Sequence, residues 1–377
     1  MRMFSALVAV AVAVIGAGCS DTNAAAASAS ADAKPVLAAL TANVFLPSLK
    51  DLDVQASGLQ NAVDGWETSE PNAQALSTAQ DVWKSARVAW KLTDAFRFGP
   101  VESLRITPAL DFSPTNAVSL EKFVEGAEPI TRASVEQLGA NLRGFGALEY
   151  LLFDTTGDAA VLAKLVGATG ARRRMYVQVT SLLVREKVAE LKSAWGDGKA
   201  AGFARDIAEA GGGSATFPSA KSAIDQIVNS AIFSAELVTN TKIGRPAGKK
   251  TGGTPQPSEV DSARSDNTIA ELTAALRGVV QVYVGDRASA LGGTNAPGVS
   301  ALVRAKNPEL DKRVLAALGV AIERVAAIRP PFRNAIVDHA PEVEGAYQAV
   351  KAAKNIMSTE VTSTLGTTLK FNDNDGD

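Results

Sequence analysis

The chain has 377 residues, of which 46% are apolar, enough for a sizeable core and for two domains once the N-terminus is set aside. With 38 basic and 40 acidic residues the formal net charge is −2, so there is no electrostatic footprint for nucleic acid. Alanine-rich stretches, low aromatic content and few β-branched alternations favour helix over sheet.

The first 19 residues read as an export signal. Arg2 supplies a short positive region, and Phe4 to Ile15 form an apolar stretch too short to span a bilayer as a mature helix. Gly16-Ala17-Gly18-Cys19 follows. Small residues before a cysteine fit a bacterial lipoprotein cleavage site with Cys19 lipidated, although Gly16 stands where such sites usually carry Leu. Plain secretory cleavage nearby is the alternative. Cys19 is the only cysteine and cannot close an intrachain disulfide. Residues 20–34 are small and polar and suit a flexible tether. The expected location is the periplasmic face of a bacterial envelope, at the outer membrane in a Gram-negative cell. The expected partners are the membrane, through the lipid anchor, and other envelope proteins.

Helical patterning starts near Pro35, and a second strong segment covers about Pro71 to Phe98, ended by Gly99-Pro100. Residues 101–130 are less regular, with Pro108, Pro114 and Pro129. Helices are expected from about Arg132 to Phe153, from about Ala171 to Trp195, and over residues 217–240. "ARRRM" at 171–175 reads as the solvated start of a helix. The Gly-, Pro- and Lys-rich stretch 242–266 marks a hinge between an N-terminal helical domain, 35–241, and a C-terminal one, 267–377. Thr268-Ile-Ala-Glu271 has the pattern of a capping box opening a helix that stops at Gly285. Two more helices cover about 309–328 and 341–365. No stretch demands a sheet. The expected fold is all-α: two helical-bundle domains, four-helix-bundle-like, with a cleft between them.

Two stretches carry the candidate chemistry. Trp83, Arg87, Trp90, Asp94 and Arg97 recur at helical spacing on one stripe. They read either as an internal Arg–Asp–Arg clamp or as a polar pocket ringed by aromatics. In "NLRGFGALEYLLFD", Glu149 shares an otherwise apolar stripe with Leu138, Leu142, Phe145 and Leu152. A carboxylate there needs a partner such as Arg87 or Arg97, or a cavity to face, because an unpaired buried charge costs several kcal/mol or stays protonated. Gly146, one turn earlier, leaves room for a crossing segment, a water or a ligand. His339 is the only histidine and reads as a surface or helix-end residue, so a two-His zinc site cannot be built. There is no G-x-S-x-G, P-loop or dinucleotide fingerprint. The closing "NDNDGD" ends before it could complete a calcium loop and reads as a solvated acidic tail.

"WKLTDAFRFGP", "GALEYLLF", "SARSDNTIAELTAALRGVVQVYVG" and "LGTTLKFNDNDGD" resemble, in that order, the imelysin-like proteins, the family of the insulin-cleaving membrane protease (peptidase M75). The resemblance covers nearly the whole mature chain. It implies two helical bundles, export, and a site at the domain interface. It also implies metallopeptidase activity in some relatives and a role in iron uptake in others. The family signature is G-x-H-x-x-E; here Gly144 and Glu149 match, but Gly146 takes the histidine position. The second motif, roughly Glu-Ser-Pro-x-Ser, corresponds to Asp261-Ser262-Ala263-Arg264-Ser265, with the proline lost. Ser265 and Asp266 also suit ordinary N-cap roles.

The expected cleft is therefore lined by Trp90, Asp94, Arg97, Glu149, Asp261, Ser262 and Ser265, with Arg97 as the charge partner of Glu149. A metal there would lean on oxygen ligands, Glu149 first with Asp94 and Asp261, and would be a hard divalent or ferric ion. The expected function is binding of a metal ion or small ligand in the envelope, linked to iron uptake, without peptide cleavage. A metallopeptidase and a purely structural or partner-binding protein are the alternatives.

Overall fold

The computed structural model describes residues 33–167, 170–196, 202–287 and 297–370. The export signal with Cys19, most of the expected tether, and the acidic "NDNDGD" tail lie outside the described residues. The tether is shorter than expected, because Ala33 and Lys34 already belong to a helix and Ala33 is buried.

Among the described residues all regular elements are helical. α1 covers residues 33–63 and includes a π-helical stretch, Thr41–Phe45. α2 (Ala73–Leu92) starts at Asn72, whose side chain accepts a hydrogen bond from the Ala75 N–H, as N-caps do. Short helices α3 (Pro100–Ser103), α4 (Ile106–Leu110), α5 (Ala117–Glu125) and α6 (Arg132–Glu136) follow. Then come α7 (Gly144–Leu152), α8 (Asp158–Val166), the long α9 (Gly170–Trp195) and α10 (Phe203–Ala208). α11 (Ala220–Glu236) runs on into a π-helical stretch, Leu237–Gly244. The C-terminal part holds α12 (Thr268–Val284), α13 (Val299–Lys306), α14 (Pro308–Ala326), α15 (Phe332–Asp338) and α16 (Ala340–Ile356), the last continuing through π-helix to Leu365. The all-α expectation holds.

α1, α2 and α9 pack together, and α7 lies against α2 and α9. α11, α12, α14 and α16 form the other group. α12 also packs along α2, so it links the two groups. The buried apolar side chains form one connected cluster from Ala33 to Leu365. Burial of each large member contributes about 1.5–3 kcal/mol, which fixes how the helices meet.

Two expected helices are shorter than their periodicity suggests. α2 ends at Leu92, where Thr93 Oγ1 turns back onto the Trp90 carbonyl at 2.6 Å, and Asp94–Phe96 form a 3-10 turn. That turn swings Phe96 and Phe98 into an aromatic cluster with Phe45 and Trp195, at centroid distances of 4.8–6.4 Å. The helix expected over 132–153 is three pieces: α6, a 3-10 turn at Ala140–Leu142, and α7. The break falls at Gly144, whose φ of +72° suits glycine, and where a Cβ would lie 2.5 Å from the Leu110 carbonyl oxygen. The "ARRRM" stretch is solvated only in part: Ala171 and Met175 are exposed, but Arg173 and Arg174 are not. Arg173 pairs with Glu121, and Arg174 donates to the Trp66 and Leu165 carbonyls at 2.6 Å each, so both guanidiniums are buried and bonded. His339 does sit at a helix end, as the residue before α16.

Candidate ligand cavity at Glu149

α7 is anchored from below. Phe145 is buried edge-on to Trp83 of α2, and Trp83 Nε1 donates to the Phe145 carbonyl at 3.2 Å. One turn later Glu149 meets the loop between Val260 and Asn267. That loop carries two non-glycine residues at positive φ, Ser262 (51°) and Asp266 (55°). The bend turns backbone N–H groups of the loop toward Glu149. Its Oε1 accepts hydrogen bonds from Arg264 N (3.0 Å), Ser265 N (2.9 Å) and Ser265 Oγ (2.9 Å). Consecutive N–H groups in such a loop make an anion-binding concavity. Oε2 accepts no hydrogen bond from the described residues and is not sealed in the interior.

Glu149 lines a cavity of about 420 Å³, shared with Trp83, Arg87, Asp111, Tyr150 and Asp261. The volume is that of a pocket for a small organic ligand. Burial raises the Glu149 carboxyl above its ordinary value of 4.5, against the hydrogen bonds from Ser265. The nearby Glu271 charge raises it further, and Arg87 pulls the other way.

A closed network of charges forms part of the cavity wall and continues behind it. Arg87 is buried and reaches Glu271 with two nitrogens, at 3.0 and 2.6 Å. It also pairs with Asp111 and donates to Ser262 Oγ at 3.3 Å. Glu271 accepts from Ser262 Oγ (2.6 Å) and Asn267 Nδ2 (3.0 Å) as well. Asp111 Oδ2 accepts from Trp90 Nε1 at 2.9 Å and Lys91 Nζ at 2.6 Å. Burial pushes the Asp111 carboxyl up, but Arg87, Lys91, Arg97 and Lys242 prevail and hold it well below the usual carboxylate range. Asp261 pairs with Lys242 and is likewise held below its ordinary value against burial.

The expected cleft residues are divided by the structure. Glu149, Asp261 and Ser262 line the larger cavity. Asp94, Arg97 and Asp261 line a second space of about 150 Å³ that shares Asp111 and Lys242 with the first. Trp90 is fully buried, and Ser265 acts through Glu149. Arg97 is not the partner of Glu149. Because α2 stops early, Arg97 pairs with Asp94, donates to the Trp90 carbonyl at 2.9 Å and stacks on the Trp90 ring at 3.6 Å. Arg87, the other candidate, is within ion-pair distance of Asp111 and Glu271 instead. The expected capping box also fails. Asn267 precedes α12, Thr268 Oγ1 donates to the Asp261 carbonyl, and Glu271 is turned inward to Arg87.

Sequence reasoning passed over Asp111, Glu271, Lys91 and Lys242. Glu271 was absorbed by the capping pattern, Asp111 sits in an irregular stretch, and Lys242 in a linker-like one. An acidic residue in a region without helical period gives no signal until tertiary contacts bring Arg87 to it.

A metal held by Glu149, Asp94 and Asp261 is not assembled. Asp94 and Glu149 line different spaces, and Asp94 and Asp261 are each neutralised by a cation. Among the described residues no three His, Cys, Asp or Glu side chains converge as a metal ion requires. The position of the family histidine is also filled. A Cβ on Gly146 would lie 2.6 Å from Thr115 Oγ1 and 3.2 Å from the Phe112 carbonyl oxygen. The donor set does not fit a bare metal ion.

The all-α fold of the described residues is the fold class that the family resemblance implied. The sequence model of the Imelysin family (Peptidase M75) matches residues 45–357, and the chain belongs to that family. It is 25% identical over 292 residues to Iron-regulated protein A of Synechococcus elongatus, covering 77% of this chain and 74% of that protein. The crystal structure of a protein described as an iron-regulated protein A precursor from Parabacteroides distasonis superposes with a TM-score of 0.78 at 22% identity, over 89% of this chain and 95% of that one. An imelysin-like protein from Psychrobacter arcticum gives 0.69 at 15% identity, over 91% and 98%. At these identities the two structures establish the fold alone.

Proposed function

We propose that the protein is an exported envelope protein, anchored through Cys19, that holds a small ligand in the cavity at Glu149 as part of iron acquisition, in company with other envelope proteins. The observation that carries this reading is Glu149 itself. One oxygen is fastened by three hydrogen bonds, the other has no hydrogen-bond partner among the described residues, and the side chain lines a cavity of about 420 Å³. The iron link comes from the iron-regulated relatives, whose name concerns regulation. Export and anchoring rest on the leader pattern before Cys19. No helix among the described residues is long and apolar enough to cross a membrane, so attachment falls to the lipid in this reading.

Peptide cleavage is not part of the proposal. The hydroxyl closest to Glu149, Ser265 Oγ, is buried and engaged with Glu149 Oε1 and the Ser262 carbonyl. A nucleophile needs access to a substrate carbonyl. The test is native mass spectrometry of protein purified from the envelope fraction. A small molecule retained by the wild type and lost from Glu149→Ala is the expected result. Its absence from both proteins would sink the ligand reading. Cleavage of an unfolded protein, abolished by a chelator and by Glu149→Ala, would establish the metallopeptidase alternative instead.

A further inference from the structure

The charges around the cavity identify the kind of ligand it takes. In the closed network Arg87, Lys91, Arg97 and Lys242 face Asp94, Asp111, Asp261 and Glu271, so cations and carboxylates match in number. At the mouth Arg245 faces Glu259 at 3.6 Å. Arg264 lies over the Tyr150 ring at 4.5 Å, and Asp154, 3.9 Å from it, is also held by Lys164 at 3.3 Å. Among the described residues, Glu149 is the one carboxylate lining this cavity that has no ion pair. Among the described residues it has no cation within ion-pair distance, and its bonded oxygen is held only by neutral donors.

The free Oε2 is an acceptor, and ionised it is a negative charge with no cation beside it. A neutral or anionic ligand would leave that charge uncompensated in a half-desolvated space. A cationic donor would meet both needs at once, because charge-assisted hydrogen bonds are roughly twice as strong as neutral ones. The lining also has an apolar component. Trp83, Phe112, Pro114, Ala117, Val260 and Ala263 border the same cavity. Of these, Phe112 keeps a large hydrophobic face exposed.

Building on the ligand reading above, we propose that the cavity selects small organic cations: molecules with an apolar body and one ammonium, amidinium or guanidinium group that donates to Glu149 Oε2. The selection is for charge with directed N–H donors. A bare metal ion would need several carboxylates, and the others are already paired.

Calorimetric titration with benzamidine, its neutral isostere benzamide, the anion benzoate, and calcium tests this on the full protein. Benzamidine is expected to bind about tenfold to a hundredfold tighter than benzamide, the range a hydrogen bond to a charged group supports. Glu149→Gln, which keeps an oxygen for Arg264 N and Ser265 N, is expected to erase that preference. A second readout uses only the wild type. Repeating the titration in buffers of different ionisation enthalpy at mildly acidic pH should show proton release on benzamidine binding. The titratable groups facing Glu149 or its cavity are Arg87 from α2, Tyr150 beside it, Asp111, Lys242, Arg245, Glu259, Asp261 and Arg264, with Glu271 of α12 beyond Arg87. Of the carboxyls there, Asp111, Glu259, Asp261 and Glu271 each already hold a cation, which leaves Glu149 as the group that releases the proton. Equal binding of benzamide or benzoate that depends on Glu149 would overturn the cation proposal and leave the ligand reading standing. Tighter, Glu149-dependent binding of calcium would also overturn it. Binding of none of the four would end both.

Discussion

Glu271 lies close enough to Glu149 to help raise its carboxyl, yet the fold treats the two in opposite ways. Glu271 is almost fully buried. Both its oxygens meet Arg87, and Oε1 also accepts from Ser262 and Asn267. Glu149 lines a cavity, with one satisfied oxygen and one without a hydrogen-bond partner among the described residues. A complete buried network fixes geometry and resists change, whereas a half-satisfied group waits for a partner. The first joins α2 to α12, and the second supplies the site.

The largest effect should come from breaking the complete network. Arg87→Ala leaves Glu271 in the interior without a cation and takes one cation from Asp111, which keeps Lys91, and should cost about 3–5 kcal/mol, the usual loss when one partner of a buried pair is removed. Urea unfolding followed by circular dichroism measures it. A loss below about 1 kcal/mol, the level of an exposed pair, would mean that the network does not hold α2 and α12 together.

The next effect lies beside Glu149. Gly146→His restores the family signature but places a Cβ against Thr115 Oγ1 and the Phe112 carbonyl. Forcing that loop aside should cost about 1–3 kcal/mol, offset in part by up to about 1 kcal/mol from replacing a helical glycine. Unfolding of this variant at the wild-type denaturant midpoint, or higher, would show that the 112–115 segment yields easily and that room for a histidine already exists.

The contrast between the two glutamates also explains what could be read in advance. The helical class, the long helix ending at Trp195 and the start at Thr268 were legible, because apolar periodicity and turn residues report on burial locally. Glu149 was legible for the same reason, as a charge on an apolar stripe. Its partners were not. Backbone N–H groups of Arg264 and Ser265 carry no sequence signal, and the loop bend at Ser262 uses a positive φ on a residue that rarely adopts one. The stripe from Trp83 to Arg97 misled because 3.6-residue spacing continued past Leu92, while Phe96 and Phe98 gained more from the aromatic cluster than from a longer helix. Tertiary packing outweighs propensity there.

A smaller change tests the fastening of Glu149. Ser265→Ala removes the Oγ donor and leaves the two backbone donors in place. The expected cost is about 1–2 kcal/mol, at the lower end for hydrogen bonds to a charged group. The Glu149 carboxyl should titrate at a still higher pH, which carbon-13 NMR of labelled glutamate would detect. An unchanged titration would place the positioning of Glu149 in the backbone alone.

The smallest effect is the most specific, because the two kinds of carboxylate have opposite pH signatures. Asp111 is held well below its ordinary value of 3.8. As pH falls below about that value the unfolded chain takes up the proton first, so the stability Asp111 provides is lost on the way down to its depressed pKa. Glu149 is raised above 4.5. The folded state therefore keeps its proton longer than the unfolded one. Its contribution is fully present below 4.5 and is lost as pH rises through the raised value, then stays constant. Glu149→Gln should remove that second slope without touching the first. Near neutral pH the variant should match or exceed the wild type by up to about 1 kcal/mol, since a desolvated charge without a counter-ion is gone. Benzamidine should close the gap by stabilising only the wild type. A Glu149→Gln protein that is less stable than the wild type at neutral pH in the absence of any ligand would mean that Oε2 already has a compensating partner, and the division between a closed network and an open carboxylate would fail.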